Sequence, residues 1–240
     1  MTPKTQRSLG RILAMALFAQ LAMPAMADGM KPETSVIVLN EADGETSINI
    51  QNTDAGPALL YSSIHNIPED DEPLAMLTPP VVRVEGGQTQ LVRFINQSKE
   101  PLKTQRLKRV FFEGIPQKDE SGGARINITV RQDIPLILHP KGLPKNREPW
   151  KLLTWSVESS DLVVRNDSAY VVRLAQMVKL QPAGTEVSLP RTYVLPGETF
   201  KLPLPANTAK AHSVRLFPAT VYGYAVDSYD APLTSATNSS

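Results

Sequence analysis

Residues 125–131, Arg-Ile-Asn-Ile-Thr-Val-Arg, alternate polar and apolar side chains without a break, which puts Ile126, Ile128 and Val130 on one face of a β-strand. Short runs of β-branched and apolar residues recur along the rest of the chain, and between them Pro and Gly fall too often for long stretches with a 3.6-residue period. The first half predicts strands near Ser35–Leu39, Thr46–Gln51, Ala58–Ile64, Gln88–Ile95, Lys108–Ile115 and Arg125–Leu138, separated by turn formers such as Asp43-Gly44 and Gly86-Gly87. The second half predicts strands near Leu152–Ser156, Leu162–Asn166, Tyr170–Gln176, Arg191–Leu195, Thr199–Pro203, Ser213–Pro218 and Tyr222–Val226. About seven short strands per half is the count of an immunoglobulin-like sandwich. The fold class is therefore all-β, two immunoglobulin-like β-sandwich domains set at an angle with a cleft between them.

The halves meet at His139-Pro140-Lys141-Gly142-Leu143-Pro144-Lys145, where two prolines and a glycine break every regular pattern. This divides the chain into an N-terminal domain, 28–140, and a C-terminal domain, 145–230. The last residues, Thr234 to Ser240, are small and polar, and 231–240 is expected to be a disordered tail. Residues 1–27 have the parts of a secretory signal peptide: a basic head with Lys4, Arg7 and Arg11, the apolar run Ile12 to Ala22, and the small-x-small site Ala25-Met26-Ala27. That apolar run is too short to span a bilayer, and Pro24 precedes the cleavage site, so the mature chain is expected to start at Asp28.

Cleavage removes three basic residues and no acidic ones, which lowers the 25 basic residues to 22 against 24 acidic, a small negative balance. Nothing in that balance points to nucleic acid. No later stretch has the apolar length of a membrane span, so the mature protein is expected to be soluble and not embedded in a membrane. Export permits disulfides, yet the chain has no cysteine, so two ordinary hydrophobic cores must hold it.

Catalytic chemistry is missing from the sequence. There is no nucleophile elbow, phosphate loop or H-E-x-x-H motif, and His65, His139 and His212 stand singly without metal-ligand spacing. The acidic run Glu69-Asp70-Asp71-Glu72 lacks the order of a calcium loop and follows Pro68, so it reads as a solvated loop. No enzyme activity, metal or cofactor is expected.

Several motifs together carry a resemblance. Leu77-Thr78-Pro79-Pro80, Val84-Glu85-Gly86-Gly87-Gln88 and Val92-Arg93-Phe94 form a run of two prolines, a Gly-containing turn and a strand with one arginine. Phe111-Phe112-Glu113-Gly114-Ile115-Pro116 ends a strand in Ile-Pro, and Val194-Leu195-Pro196-Gly197-Glu198 supplies a further turn. This set resembles the PapD-like periplasmic pilus chaperones of chaperone–usher systems, over nearly the whole mature chain. The short connection Gln117 to Ala124 resembles the class that serves thick pili.

The resemblance implies a periplasmic chaperone that binds, folds and caps pilus or fimbrial subunits and delivers them to an outer-membrane usher. Its donor-strand residues are expected to be Ile126, Ile128 and Val130, which would fill the groove of an incomplete subunit in the β-augmentation mode. A β-sandwich pilus component or other periplasmic binding module is the alternative, the pilus component being distinguished by incorporation into surface fibres.

Two departures from that family's pattern bear on the site. The arginine and lysine that normally anchor the subunit's C-terminal carboxylate fall here near Ser35-Val36 and at Pro135. The candidates to replace them are Arg131, which shares a strand face with Pro135, and Arg106, Lys108 and Arg109, which open the neighbouring strand. The buried inter-domain charge cluster is thinned to Gln105, His139 and Asp227.

Overall fold

A computed structural model describes residues 29–117, 130–204, 211–220 and 226–235. The alternating segments become nine strands in the first domain: β1 (Met30–Pro32), β2 (Ile37–Asn40), β3 (Glu45–Asn52), β4 (Ala58–His65), β5 (Ala75–Thr78), β6 (Val81–Val84), β7 (Thr89–Asn96), β8 (Arg106–Pro116) and β9 (Arg131–His139). They make a four-stranded sheet ordered β1-β3-β7-β5 and a five-stranded sheet ordered β2-β9-β8-β4-β6. Because side chains alternate across a sheet, Ile48, Ile50, Val92 and Phe94 of the first sheet meet Leu60, Val110, Phe112 and Leu136 of the second in one core.

The second domain opens with a 3-10 turn at Pro149–Leu152. It continues through β10 (Thr154–Glu158), β11 (Asp161–Arg165), β12 (Val172–Arg173), β13 (Met177–Gln181), β14 (Thr185–Ser188), β15 (Tyr193–Val194), β16 (Thr199–Pro203), β17 (Ser213–Leu216) and β18 (Tyr229–Ser235). Seven of these form a sheet ordered β14-β13-β17-β18-β10-β11-β16, while β12 and β15 pair as a separate ribbon. Trp150 and Trp155 are buried in its core.

Each domain closes itself with the same polar device. The Asn52 amide donates to the Gly56 and Val84 carbonyls at 3.0 Å each, and its own carbonyl accepts from Gly87 at 2.9 Å. Asn166 repeats this, donating to Tyr170 and Val194 at 2.8 and 3.0 Å and accepting from Gly197 at 2.7 Å. Both asparagines are fully buried, so their hydrogen bonds replace those lost to water. The turn after Val84 needs glycine twice: a Cβ on Gly86 would lie 2.3 Å from the Ala55 carbonyl oxygen, and Gly87 has φ +75°.

The tail prediction is corrected for residues 231–235. β18 pairs antiparallel with β17 and parallel with β10, Ala231 is buried, and the Thr234 hydroxyl donates to the Trp155 carbonyl at 3.0 Å. Two flanking strands supply main-chain hydrogen bonds that small polar side chains do not disturb. Residues 236–240 and most of the predicted strand at Tyr222–Val226 lie outside the described residues, and Val226 has no regular structure. The strand expected over Tyr170–Gln176 shrinks to Val172–Arg173, and hairpin β13–β14 follows it.

Candidate functional site

The first strand changes sheets. β1 pairs with β3 in one sheet, and after Glu33–Val36 the chain joins the other sheet as β2, parallel to β9 over only Leu136–His139. On its other side β9 pairs with β8 along its whole length, from Arg131 to Leu138. Residues Arg131–Pro135 are thus paired on one edge alone among the described residues. Such an edge is a template for an added strand. Ile126 and Ile128 lie outside the described residues. Val130, directly before β9, is 43% exposed, so this apolar side chain is not spent on the protein's own core. It has the parity of Ile134, Leu136 and Leu138, the core-facing row of the same strand.

Beside this edge lies a cleft of about 720 Å³ between the domains, lined by Arg109, Asp133 and Pro135 from the first and Arg173, Thr192 and Phe217 from the second. Arg109 donates from Nε to Asp133 Oδ1 at 2.8 Å and from Nη2 to the Asp133 carbonyl at 3.2 Å. Arg173 is half-buried, and no hydrogen bond or ion pair holds its guanidinium among the described residues. Burial and the neighbouring Arg109 charge push its pKa down to about 10. A desolvated cation without a partner favours an incoming anion, which would meet charge-assisted donors here.

Of the four anchors expected from sequence, only Arg109 lines the cleft. Arg106 and Lys108 are corrected. Both are committed to Asp70, Arg106 through Nε at 2.6 Å and Nη2 at 2.5 Å, and Lys108 at 2.9 Å. Burial pushes the Asp70 carboxyl up, but the hydrogen bonds from Arg106 and Lys108 outweigh it and hold the group below the usual carboxylate range. Burial also pushes Lys108 down. Within the acidic run the Asp70 side chain is withdrawn from solvent, 8% exposed, while Glu69, Asp71 and Glu72 are exposed residues. Arg131 is corrected too, since it pairs with Glu113 at 3.2 Å and lies over the Phe111 ring at 5.4 Å. It is four residues before Pro135, roughly 13 Å along a strand. Arg173 escaped the sequence reading, and its one signal was a cation inside the apolar run Val171-Val172-Arg173-Leu174.

The domains join through a neutral polar link. The Gln105 amide donates to His139 Nδ1 at 2.8 Å, which leaves the histidine proton on Nε2 to reach the Leu143 carbonyl at 2.8 Å. The Gln105 carbonyl oxygen accepts from the Val171 N–H at 2.9 Å in the second domain. Around it Val36, Ile67, Leu107 and Ile137 pack against Val171. Asp227 does not belong with them: it is exposed, and among the described residues no hydrogen bond or ion pair joins it to Gln105 or His139. Among the described residues no three His, Asp or Glu side chains gather as a metal site needs, and no helix is long and apolar enough to cross a membrane.

Residues 29–144 match the family of pili and flagellar-assembly chaperones, PapD N-terminal domain, and residues 148–229 match the pili assembly chaperone PapD, C-terminal domain. The uncharacterized fimbrial chaperone YhcA of Escherichia coli K12 is 41% identical over 220 residues, 91% of this chain and 97% of that protein. The chaperone protein caf1M of Yersinia pestis is 25% identical over 205 residues, 76% of each chain. Among solved structures, the E. coli chaperone DraB superposes with TM-score 0.70 at 22% identity, over 86% of this chain and 99% of that one. A chain of the Salmonella enterica SafA pilin–SafB chaperone complex gives 0.71 at 19% identity, over 87% and 98%. Both likenesses speak to the fold. With both domains matched and a relative aligned over nearly its full length, this chain belongs to the family of PapD-like pilus-assembly chaperones.

Proposed function

We propose that this chaperone acts in the periplasm, after removal of residues 1–27, by lending the strand that ends in β9 to a pilus subunit that lacks its own last strand. The observation that carries this reading is the Arg131–Pro135 edge, unpaired among the described residues, which opens onto the inter-domain cleft. Main-chain hydrogen bonds along that edge tolerate many subunit sequences, while Ile126, Ile128 and Val130 fill the apolar groove. Three such side chains contribute roughly 4–9 kcal/mol before ordering costs, at about 1.5–3 kcal/mol each.

At the inner end of the edge the subunit's C-terminal carboxylate meets Arg173 and Arg109. Arg173 is the stronger receiver, because Asp133 already occupies Arg109. The capped subunit then passes to an outer-membrane usher. The test is co-purification from periplasm with identification of the bound protein. A pilus subunit held in a soluble complex is the expected result, and recovery of this chain within surface fibres would reject the reading.

A further inference from the structure

Between β4 and β5 the chain makes a tight turn, closed by the Asp70 N–H donating to the Ile67 carbonyl at 3.1 Å. The two neighbouring carboxylates at its tip grip different domains. Asp70 holds Arg106 and Lys108 on β8 of the first domain. Glu69 reaches into the second, accepting from Arg191 at 2.5 Å and from the Tyr193 hydroxyl at 2.9 Å. Ile67 anchors the turn from below, buried against Leu107, Ile137 and Val171. Burial, and then the Glu69 acceptor, push the Tyr193 hydroxyl up to about 12, so it stays a donor at ordinary pH.

The grip falls on one particular element. Tyr193 is the direct strand partner of Arg173 in the β12–β15 ribbon. Thr192, between the two residues that Glu69 holds, lines the cleft, and its carbonyl accepts from the Leu174 N–H at 2.9 Å. This ribbon is not a strand of the seven-stranded sheet of its own domain, and main-chain hydrogen bonds from Ala219 to the Arg173 carbonyl at 3.0 Å and from Ala175 to the Phe217 carbonyl at 2.8 Å join it to the segment after β17. The Gln105–His139–Val171 link is neutral, so the charge on Glu69 adds a directed tether between the first domain and this ribbon.

We propose that Glu69 is a positioning residue for the cleft: through Arg191 and Tyr193 it holds the β12–β15 ribbon, and with it Arg173, against Arg109 of the first domain. The inference rests on the proposed reading of the cleft as a carboxylate site. Loosening Glu69 releases Arg191 and Tyr193 and lets the Arg173 side chain shift from the subunit's terminus, while Val172, Leu174 and Val194 of the same segments stay in the second-domain core.

Because the chain has no cysteine, spin labels can be placed singly in each domain, at Ser47→Cys and Ser188→Cys, both exposed. Pulsed dipolar spectroscopy is expected to give one narrow distance distribution with Glu69 present and a broadened or shifted one in Glu69→Ala. Glu69→Gln keeps an acceptor for Tyr193 and should recover part of the narrow distribution. Fluorescence of Trp150 and Trp155 should show the second domain still folded. If Glu69→Ala lowers the fold, Tyr193→Phe keeps the ring, removes one strand of the tether and should broaden the distribution less.

The functional arm uses a synthetic peptide of the co-purified subunit's final strand, as free acid and as amide. The parent chain should prefer the acid by about tenfold, the worth of one charged hydrogen bond. Glu69→Ala should lose that preference with the amide's affinity unchanged. An unchanged distance distribution together with an unchanged acid preference overturns the role of Glu69. Equal binding of acid and amide by the parent chain instead rejects the carboxylate reading, and the distance measurement still decides the tether.

Discussion

Lys108 Nζ lies 2.9 Å from Asp70 Oδ1, with the lysine side chain 1% exposed and the aspartate 8%. Two charges so far from water are tolerable only as a hydrogen-bonded pair, and here Arg106 and the Asp70 carbonyl complete it. The pair fixes the turn that carries Glu69, so a residue set that looked like a loop of exposed acids is part of the domain interface.

Asp70→Ala leaves Lys108 buried without its carboxylate and should destabilise the first domain by about 3–5 kcal/mol, read from urea unfolding. The pH dependence has a definite sign. Asp70 is held below its unfolded value, so its contribution is fully present above the unfolded pKa and fades as pH falls through the folded one. Stability should therefore decline below about pH 4, the unfolded carboxylate value. The Asp70→Ala variant should lose the part of that decline that Asp70 supplies, and a decline equal to the parent's would show that other carboxylates carry it.

Ile128→Asp should leave the chaperone folded and unable to hold its subunit, because a carboxylate would enter an apolar groove. Val130→Asp should behave alike, since Val130 is already exposed and its replacement removes no core packing. Circular dichroism and co-purification are read together. Loss of fold in either variant would mean that the side chain belongs to the protein's own core.

Arg173→Ala should weaken subunit binding about ten- to a hundredfold, as charged hydrogen bonds of roughly 1.5–3 kcal/mol imply. Its melting temperature should stay level or rise, since the removed cation is desolvated and has no partner among the described residues. Arg131→Ala should leave affinity unchanged, because that side chain serves Glu113 and Phe111. Affinity that falls for Arg131→Ala and not for Arg173→Ala would contradict the assignment.

Asn166→Ala strips the buried Val194 carbonyl and the part-buried Tyr170 carbonyl of their donor and should lower second-domain stability by about 1–3 kcal/mol for each buried group left unsatisfied. Both tryptophans of the chain lie in that domain's core, so fluorescence isolates its transition. The equivalent Asn52→Ala should leave that transition in place while far-UV circular dichroism shows the first domain unfolding earlier.

The alternation of apolar and polar residues determined, by itself, the all-β class, the two-sandwich organisation and the placement of most strands, since strand period and turn chemistry are local properties. Thr199–Pro203 reads the same in sequence and structure. The repeated turn was legible as well, in Val84-Glu85-Gly86-Gly87-Gln88 and Val194-Leu195-Pro196-Gly197-Glu198. What only the tertiary structure decided is who meets whom across long separations. Position at the start of the neighbouring strand put Arg106 and Lys108 near the anchor and parity put Arg131 there, but neither signal says which partner waits at that place. Asp70 arrives from another loop to sequester the first two, while Arg173 arrives from the second domain to face Arg109. The strand at Tyr229–Ser235 was hidden for the same reason: Pro232 interrupts it and Thr234-Ser235 are small and polar, so the local signal is weak, and the hydrogen bonds that order it come from β17 and β10.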